Sequence, residues 1–226
     1  MDMPMETLPP IMPDDPLPLA ERWLDDAWER SGTPNPNAMA LATVDAEGRP
    51  AARIVLLKGL DSTQGVAVFF TNYHSRKGRE LTACPRAAAV LHWDLMHRQL
   101  RLEGRIDKLP AADSDSYYQS RPWQSRVGAW ASHQSEPIAS REALLEQVRQ
   151  TAERLGTPPL DSTATQIDVH LERPPHWGGY RLWLTAIEFW VEGAARVHDR
   201  VRYERALHDA AAPVRSGGWT RTRLQP

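Results

Sequence analysis

The sequence predicts an α+β domain built around an antiparallel barrel, and three observations carry that prediction. Short runs rich in β-branched and aromatic residues recur with hairpin-sized links between them: MALATV, ARIVLLK, GVAVFFT, PRAAAVLHW, QLRLEGRIDKL and YRLWLTAIEFW. Helical patterns interrupt these runs without the regular strand–helix alternation of a doubly wound sheet. The chain of 226 residues, 41% hydrophobic and 25% charged, is long enough to bury a core and ordinary enough in composition to fold.

Residues 1–16 carry five prolines and read as a flexible arm ahead of a single domain from 17 to 226. Ala20, Trp23, Leu24 and Ala27 then repeat at helical spacing, until SGTPNPN ends the pattern. From Ala38 the chain turns to strands, with a first hairpin folding at DAEGRP. After Thr71, NYHSRKGREL places a serine before a basic turn and a short helix. Leu100, Leu102 and Ile106 alternate with charged residues, as on a strand with one wet face. Residues 110–133 read as mostly helical. Ser140 is placed to cap a longer helix whose Leu144, Val148, Ala152 and Leu155 form one stripe. A proline-punctuated loop covers 156–176, and strands return in YRLWLTAIEFW, VHDRVRYER and WTRTRL. Nine tryptophans point to buried aromatic packing or stacking surfaces.

Composition narrows the function. Lys and Arg number 27 against 29 Asp and Glu, a net charge of -2, so no global field favours nucleic acid or an anionic membrane. No apolar stretch approaches the ~20 residues of a membrane helix, and the N-terminus lacks a signal-peptide pattern. The single cysteine, Cys84, excludes an intrachain disulfide and fits a reduced, cytoplasmic compartment. No HExxH and no His–carboxylate cluster at ligand spacing supports a metal site, and neither GxSxG nor GxGxxG occurs.

Three cationic groupings remain. Arg53 and Lys58 lie an odd number of residues apart, so they face opposite sides of a strand unless it ends or bulges between them. Ser75-Arg76-Lys77 combines a hydroxyl, two cations and helix N-terminal amides, a combination that suits a phosphate and equally a solvated surface. Arg196 and His198, two apart, would share one face of an extended strand, either gripping an anionic or heteroaromatic ligand or forming a wet salt-bridged pair. Tyr117, Arg121 and Ser125, spaced by four, would form one polar face if their helix survives Pro122.

Taken in order, RIVLLK, FFTNYHSRKGREL, HRQLRLEG, YYQSRPWQSRVGAWASHQS, HWGGYRL, IEFW, RVHDRVRYER and the terminal RLQP resemble the pyridoxamine 5'-phosphate oxidase family over nearly the whole chain from residue 17. The resemblance implies an FMN-binding split barrel and a homodimer with FMN at the interface. It also implies oxidation of pyridoxamine or pyridoxine 5'-phosphate to pyridoxal 5'-phosphate, by hydride transfer to the flavin and reoxidation by O2 to H2O2. On the same basis Arg53, Ile54, Val55, Leu56, Lys58, Phe70 and Thr71 line FMN, and Arg76 and Lys77 hold its phosphate. Gln99, Gln134, Ser135, Trp190 and Arg200 complete that pocket, several from the partner subunit. Lys58, Tyr117, Arg121 and Ser125 hold the substrate phosphate, while Arg196 and His198 cover the ring and orient the reacting carbon.

Three departures from the family pattern stand out. The arm lacks a basic Arg-Arg-x-Tyr stretch, so no lid is assigned to it; Phe70 stands where a tyrosine is common; and 157–173 is longer than usual. The competing readings are a phenazine-biosynthesis type of flavin oxidase and a barrel that binds FMN, pyridoxal phosphate or haem without turnover.

Overall fold

In a computed structural model, which describes residues 7–208 and 215–226, the chain runs α1 (Leu17–Arg30), β1 (Ala38–Val44), β2 (Pro50–Leu56), β3 (Gly59–Asp61), β4 (Val66–Asn72) and α2 (Arg76–Ala83). It continues with β5 (Arg86–Trp93), β6 (Arg98–Lys108), α3 (Ala111–Ser120), α4 (Trp123–Ala131), α5 (Arg141–Arg154) and β7 (Trp177–Val191). The last strands are β8 (Asp199–Glu204), the short pair β9 (Leu207–His208) and β10 (Arg215–Ser216), and β11 (Thr220–Leu224). The main sheet is antiparallel in the order β11-β8-β7-β6-β5-β1-β2, with β4 pairing both β3 and β7. This is the expected α+β barrel. Because β2 and β4 approach without pairing, the barrel is split along that seam.

β7 organises the site. Its first half pairs β4, with Phe70 opposite Gly179 and Thr71 opposite Gly178, and its second half pairs β8, with Trp190 opposite Arg200. The change of partner coincides with a bulge, where Glu103 and Gly104 of β6 face Ala186 and Leu184 and leave Thr185 unpaired with β6. Gly104 is required there: a Cβ would sit 1.9 Å from the Trp183 carbonyl oxygen.

Alternation in β1, β5 and β6 turns Met39, Leu41, Leu91, Leu100 and Leu102 inward against Phe69, Leu182 and Phe189, all essentially inaccessible. α1 closes one end of this core, with Trp23 edge-on to Phe189 at 5.0 Å. A second cluster, Tyr118, Trp123, Val127, Ala152, Leu171 and Trp177, joins α3, α4 and α5 to the 156–176 loop. Two indole N–H groups bind that loop's backbone, Trp123 to Ala164 and Trp130 to Glu172, so the long connection is pinned by the helices it crosses.

The arm departs from expectation. Residues 7–16 are packed: Leu8 and Met12 are buried, the Leu8 amide donates to Asp199 at 2.9 Å, and the Tyr203 hydroxyl donates to the Pro13 carbonyl at 2.7 Å. Burial of the two apolar side chains supplies roughly 1.5–3 kcal/mol each. The rest of the expected arm, 1–6, lies outside the described residues.

Candidate active site

The seam between β2 and β4 opens into a cleft of about 500 Å³. Arg53, Ile54, Val55, Leu56 and Lys58 line it from β2 and its end, Phe70 and Thr71 from β4, Lys77 from α2, Tyr117, Arg121 and Ser125 from α3 and α4, and Gln134 from the turn after α4. β2 stops at Leu56, which frees Lys58 from strand alternation and lets it share the cleft with Arg53.

Lys77 is the buried centre of one wall. Ser75 caps α2, its hydroxyl oxygen accepting from the Gly78 amide at 3.3 Å, so the Lys77 side chain leaves the first helical turn. Its ammonium donates to Thr71 Oγ1 at 3.0 Å, Ser75 Oγ at 3.2 Å and Gln134 Oε1 at 2.6 Å. All three acceptors are neutral. Burial, with Arg53 nearby, lowers the amine to about 8, against a smaller opposing pull from Glu80. A desolvated ammonium bonded only to neutral oxygens at a helix N-terminus fits an anion such as a phosphate. Arg53 stands beside it, donating to Thr43 Oγ1, to the Leu41 carbonyl and, at 2.8 Å, to Glu80. Arg76, expected in the same role, does not line the cleft; it is mostly exposed and bonded through Nε to Glu80 at 2.8 Å.

Another part of the lining, Phe70 with Tyr117, is aromatic. Phe70 stacks on Tyr117 at 3.8 Å and on Trp177 at 5.6 Å, a planar face suited to a flat ring. Tyr117, Arg121 and Ser125 do not share one helix, as the spacing of four had suggested. Arg121 takes extended geometry before Pro122, and the helix breaks there into α3 and α4. The break still brings all three to the cleft. The Arg121 guanidinium lies over the Trp177 ring at 4.6 Å, its Nη1 is buried with no hydrogen-bond partner among the described residues, and burial pushes its pKa down. A buried, unpaired guanidinium nitrogen costs about 1–3 kcal/mol or more until an acceptor reaches it, which fits a second anion.

The remaining expected residues fall elsewhere. Gln99, Trp190 and Arg200 lie in one row across β6, β7 and β8, and the His198 ring sits 4.6 Å from Trp190. Glu188, only 2% exposed, receives Arg200 through Nε at 2.9 Å and Nη2 at 2.8 Å. Arg196 and His198 are not on a strand, contrary to the reading from their spacing. Ala194–Arg196 form a 3-10 turn, with Ala195 and Arg196 at φ +54° and +65°, and β8 begins only at Asp199. The turn folds on Gly193, where a Cβ would lie 1.8 Å from the Val197 carbonyl oxygen. The Gly193 amide donates to His198 Nδ1 at 3.2 Å, so a neutral ring carries its proton on Nε2. Ser135, next to Gln134, is exposed at φ +74°.

The two groups are therefore separated within one chain. From Gly179, opposite Phe70, to Trp190 is eleven residues of β7, roughly 36 Å of strand at ~3.3 Å per residue. Glu80, Trp177 and Glu188 were not singled out from sequence, since a helical Glu, a strand Trp and a strand Glu carry no mark of a site. Among the described residues no group of three or more His, Cys, Asp or Glu could hold a metal ion, and no helix is long and apolar enough to cross a membrane.

Comparison with known proteins gives two family matches. Residues 26–154 match the family described as pyridoxamine 5'-phosphate oxidase, and residues 177–226 match the pyridoxine 5'-phosphate oxidase C-terminal dimerisation region. A pyridoxine/pyridoxamine 5'-phosphate oxidase of Paracoccus denitrificans is 45% identical over 94% of this chain and 96% of its own length. One from Burkholderia multivorans is 49% identical over 94% and 89%. Among solved structures, PhzG from Burkholderia lata in complex with tetrahydrophenazine-1-carboxylic acid superposes with TM-score 0.80 at 32% identity, covering 98% of this chain and 99% of that one. An FMN-binding, pyridoxamine 5'-phosphate oxidase-related protein from Nostoc punctiforme shares the fold at TM-score 0.66 and 17% identity over 91% and 96%.

Proposed function

The chain belongs to the pyridoxamine 5'-phosphate oxidase family, and from that premise we infer that it is an FMN-dependent oxidase converting pyridoxamine or pyridoxine 5'-phosphate to pyridoxal 5'-phosphate. The dimerisation region makes it a homodimer-forming chain. The observation that carries the assignment of residues is the pair of anion-seeking groups, Lys77 and Arg121, lining one cleft together with the stacked rings of Phe70 and Tyr117. Two phosphates, one on the cofactor and one on the substrate, match two such groups.

In this reading Lys77, Arg53 and Thr71 hold the FMN phosphate, Arg76 supports it from the rim, and Ile54, Val55 and Leu56 lie along the flavin. Arg121, Tyr117, Ser125 and Lys58 hold the substrate phosphate, so each planar ring is anchored by a charged handle. FMN, when bound, supplies the two-electron acceptor, and O2 is the final oxidant, leaving as H2O2; with pyridoxamine 5'-phosphate, water then hydrolyses the oxidised C=N bond and ammonia leaves. Gln99, Trp190, Arg200, Arg196 and His198 do not line this cleft, and in this reading they complete the cleft of the partner subunit. There His198 presents its Nε2 proton and Arg196 its guanidinium to the substrate ring, fixing the reacting carbon and excluding water. A cytoplasmic setting belongs to the same proposal, in keeping with a single cysteine.

Anaerobic addition of pyridoxamine 5'-phosphate to the flavin-loaded protein tests the activity: visible flavin absorbance bleaches and returns with air, with release of peroxide. A flavin that stays oxidised with this substrate but bleaches with a reduced phenazine precursor would transfer the reading to that chemistry. Mixed dimers test the shared cleft. Arg121→Ala and Arg196→Ala chains, each inactive alone, recover about a quarter of wild-type activity on random re-association, because half of the dimers hold one intact site of two. No recovery would place all the site residues within one chain.

A further inference from the structure

Glu80 has no part in the roles assigned above. On α2 it stands four residues after Arg76, where a glutamate reads as solvated helix charge. Instead its carboxylate is 4% exposed and both oxygens are occupied. Oε1 accepts from Arg76 Nε at 2.8 Å, and Oε2 accepts from Arg53 Nη2 at 2.8 Å and from the Thr43 hydroxyl. Burial alone would raise its pKa, but these donors outweigh it and hold the carboxyl below the usual range. Thr43 binds Arg53 as well, so β1, β2 and α2 are tied together at one carboxylate. A buried carboxylate persists only when paired and hydrogen-bonded, and this one gives a separate oxygen to each guanidinium.

We propose that Glu80 is a positioning residue of the FMN phosphate cradle, one oxygen holding Arg53 beside Lys77 and the other holding Arg76 at the rim. It also balances the cradle. Three cations less one carboxylate leave a charge of two, close to the roughly -1.5 to -2 of a phosphate monoester near neutral pH. The inference rests on the FMN reading above. An amide cannot replace the carboxylate, because a glutamine offers one acceptor oxygen and turns an NH2 group toward the other guanidinium, donor against donor. The carboxylate also supports Lys77. That ammonium touches only neutral oxygens of Thr71, Ser75 and Gln134, and of the charged groups acting on it Arg53 opposes its charge while Glu80 favours it.

The test is flavin binding by the full-length apoprotein, titrated with FMN and, separately, with riboflavin, which lacks the phosphate, from about pH 6 to about pH 9. In Glu80→Gln the FMN Kd rises about tenfold at mildly alkaline pH while the riboflavin Kd stays within about twofold. The pH above which FMN affinity declines moves to lower values, since Lys77 loses the group that favours its proton. FMN bound as tightly as by wild type, or more tightly, overturns the proposal. So does equal weakening of FMN and riboflavin, which marks a folding defect and not a phosphate clamp. Glu80→Asp keeps the charge and withdraws it from both arginines, and serves even if the amide variant does not fold. FMN affinity falls severalfold in it with the pH break in place, and an unchanged FMN Kd again overturns the proposal. If wild-type apoprotein binds riboflavin and FMN equally, or neither, the failure lies in the cofactor reading itself.

Discussion

At the Trp177 end of β7 the ligand-seeking side chains stand on regular elements: Lys77 on the first turn of a capped helix, Thr71 inside a strand, Arg53 on a strand and held by Thr43, Leu41 and Glu80. At the Trp190 end, Gln99, Trp190 and Arg200 are set by sheet register, but Arg196 hangs on a turn with two successive left-handed residues and is exposed. Left-handed backbone at a non-glycine residue costs roughly 1 kcal/mol or more and persists where surrounding structure enforces it. One end is a preformed binding surface. The other is an exposed turn that, in the proposed reading, reaches a ligand held by the partner subunit. Preformed, buried cations suit tight retention of a ligand, while an exposed turn suits one that comes and goes.

Substitutions at the two ends should separate these jobs. The largest effect is expected from Arg196→Ala, which lowers turnover about a hundredfold with FMN still bound, as read by peroxide release beside the flavin spectrum. Normal turnover would erase the turn's role. Next, Lys77→Met weakens FMN binding about thirtyfold, the scale of one charge-assisted hydrogen bond, while activity at saturating FMN falls much less. Gly193→Ala sharpens the comparison. Its Cβ has no room against Val197, and the amide that orients His198 must move, so turnover falls about tenfold while the FMN Kd stays put. A melting temperature lowered as far as by a core truncation would show instead that the turn is structural.

The smallest effect is that of pH. Burial lowers the Lys77 amine to about 8 in the folded apoprotein, against 10.5 for an ordinary lysine. Between those values the unfolded chain binds the extra proton, so apoprotein stability gains a contribution from Lys77 as pH rises through that window. FMN affinity moves the opposite way, because the cation that meets its phosphate is being lost. Thermal melts and FMN titrations across the window should diverge, and parallel trends would remove Lys77 from the cradle.

β1, β5 and β6 were legible because each buries one face, and alternation in residues such as Leu100, Leu102 and Ile106 records that directly. The cleft residues Lys77, Phe70 and Arg121 were legible through motif resemblance. What sequence did not disclose were contacts made by the fold at long range. Leu8 and Met12 belong to the main core, and their segment is tied to β8 and β11 from the far end of the chain, through the Leu8 amide on Asp199 and the Pro9 carbonyl on Arg223. Pro122 announced a possible helix break, but not that the break would still deliver Arg121 and Ser125 to one cleft. The turn at Ala195–Arg196 uses neither glycine nor asparagine at its left-handed positions, so it carried no local signal and read as strand. Glu80 was hidden for a similar reason: its partners stand on β1 and β2 as well as on its own helix.

β7 also sets which parts of the chain can change in length. It carries Gly178 and Gly179 against β4 at one end and Trp190 against Arg200 at the other, and strand pairing has a period of two. A single residue inserted between them would turn one set of side chains to the wrong face and shift the spacing between the two ends of β7. The connection over 156–176 carries no such register, being tied down through a few carbonyls that indole N–H and side-chain amide groups can reach. Insertions and deletions should therefore be tolerated in that loop and rejected by β7, which acts as a ruler of fixed length.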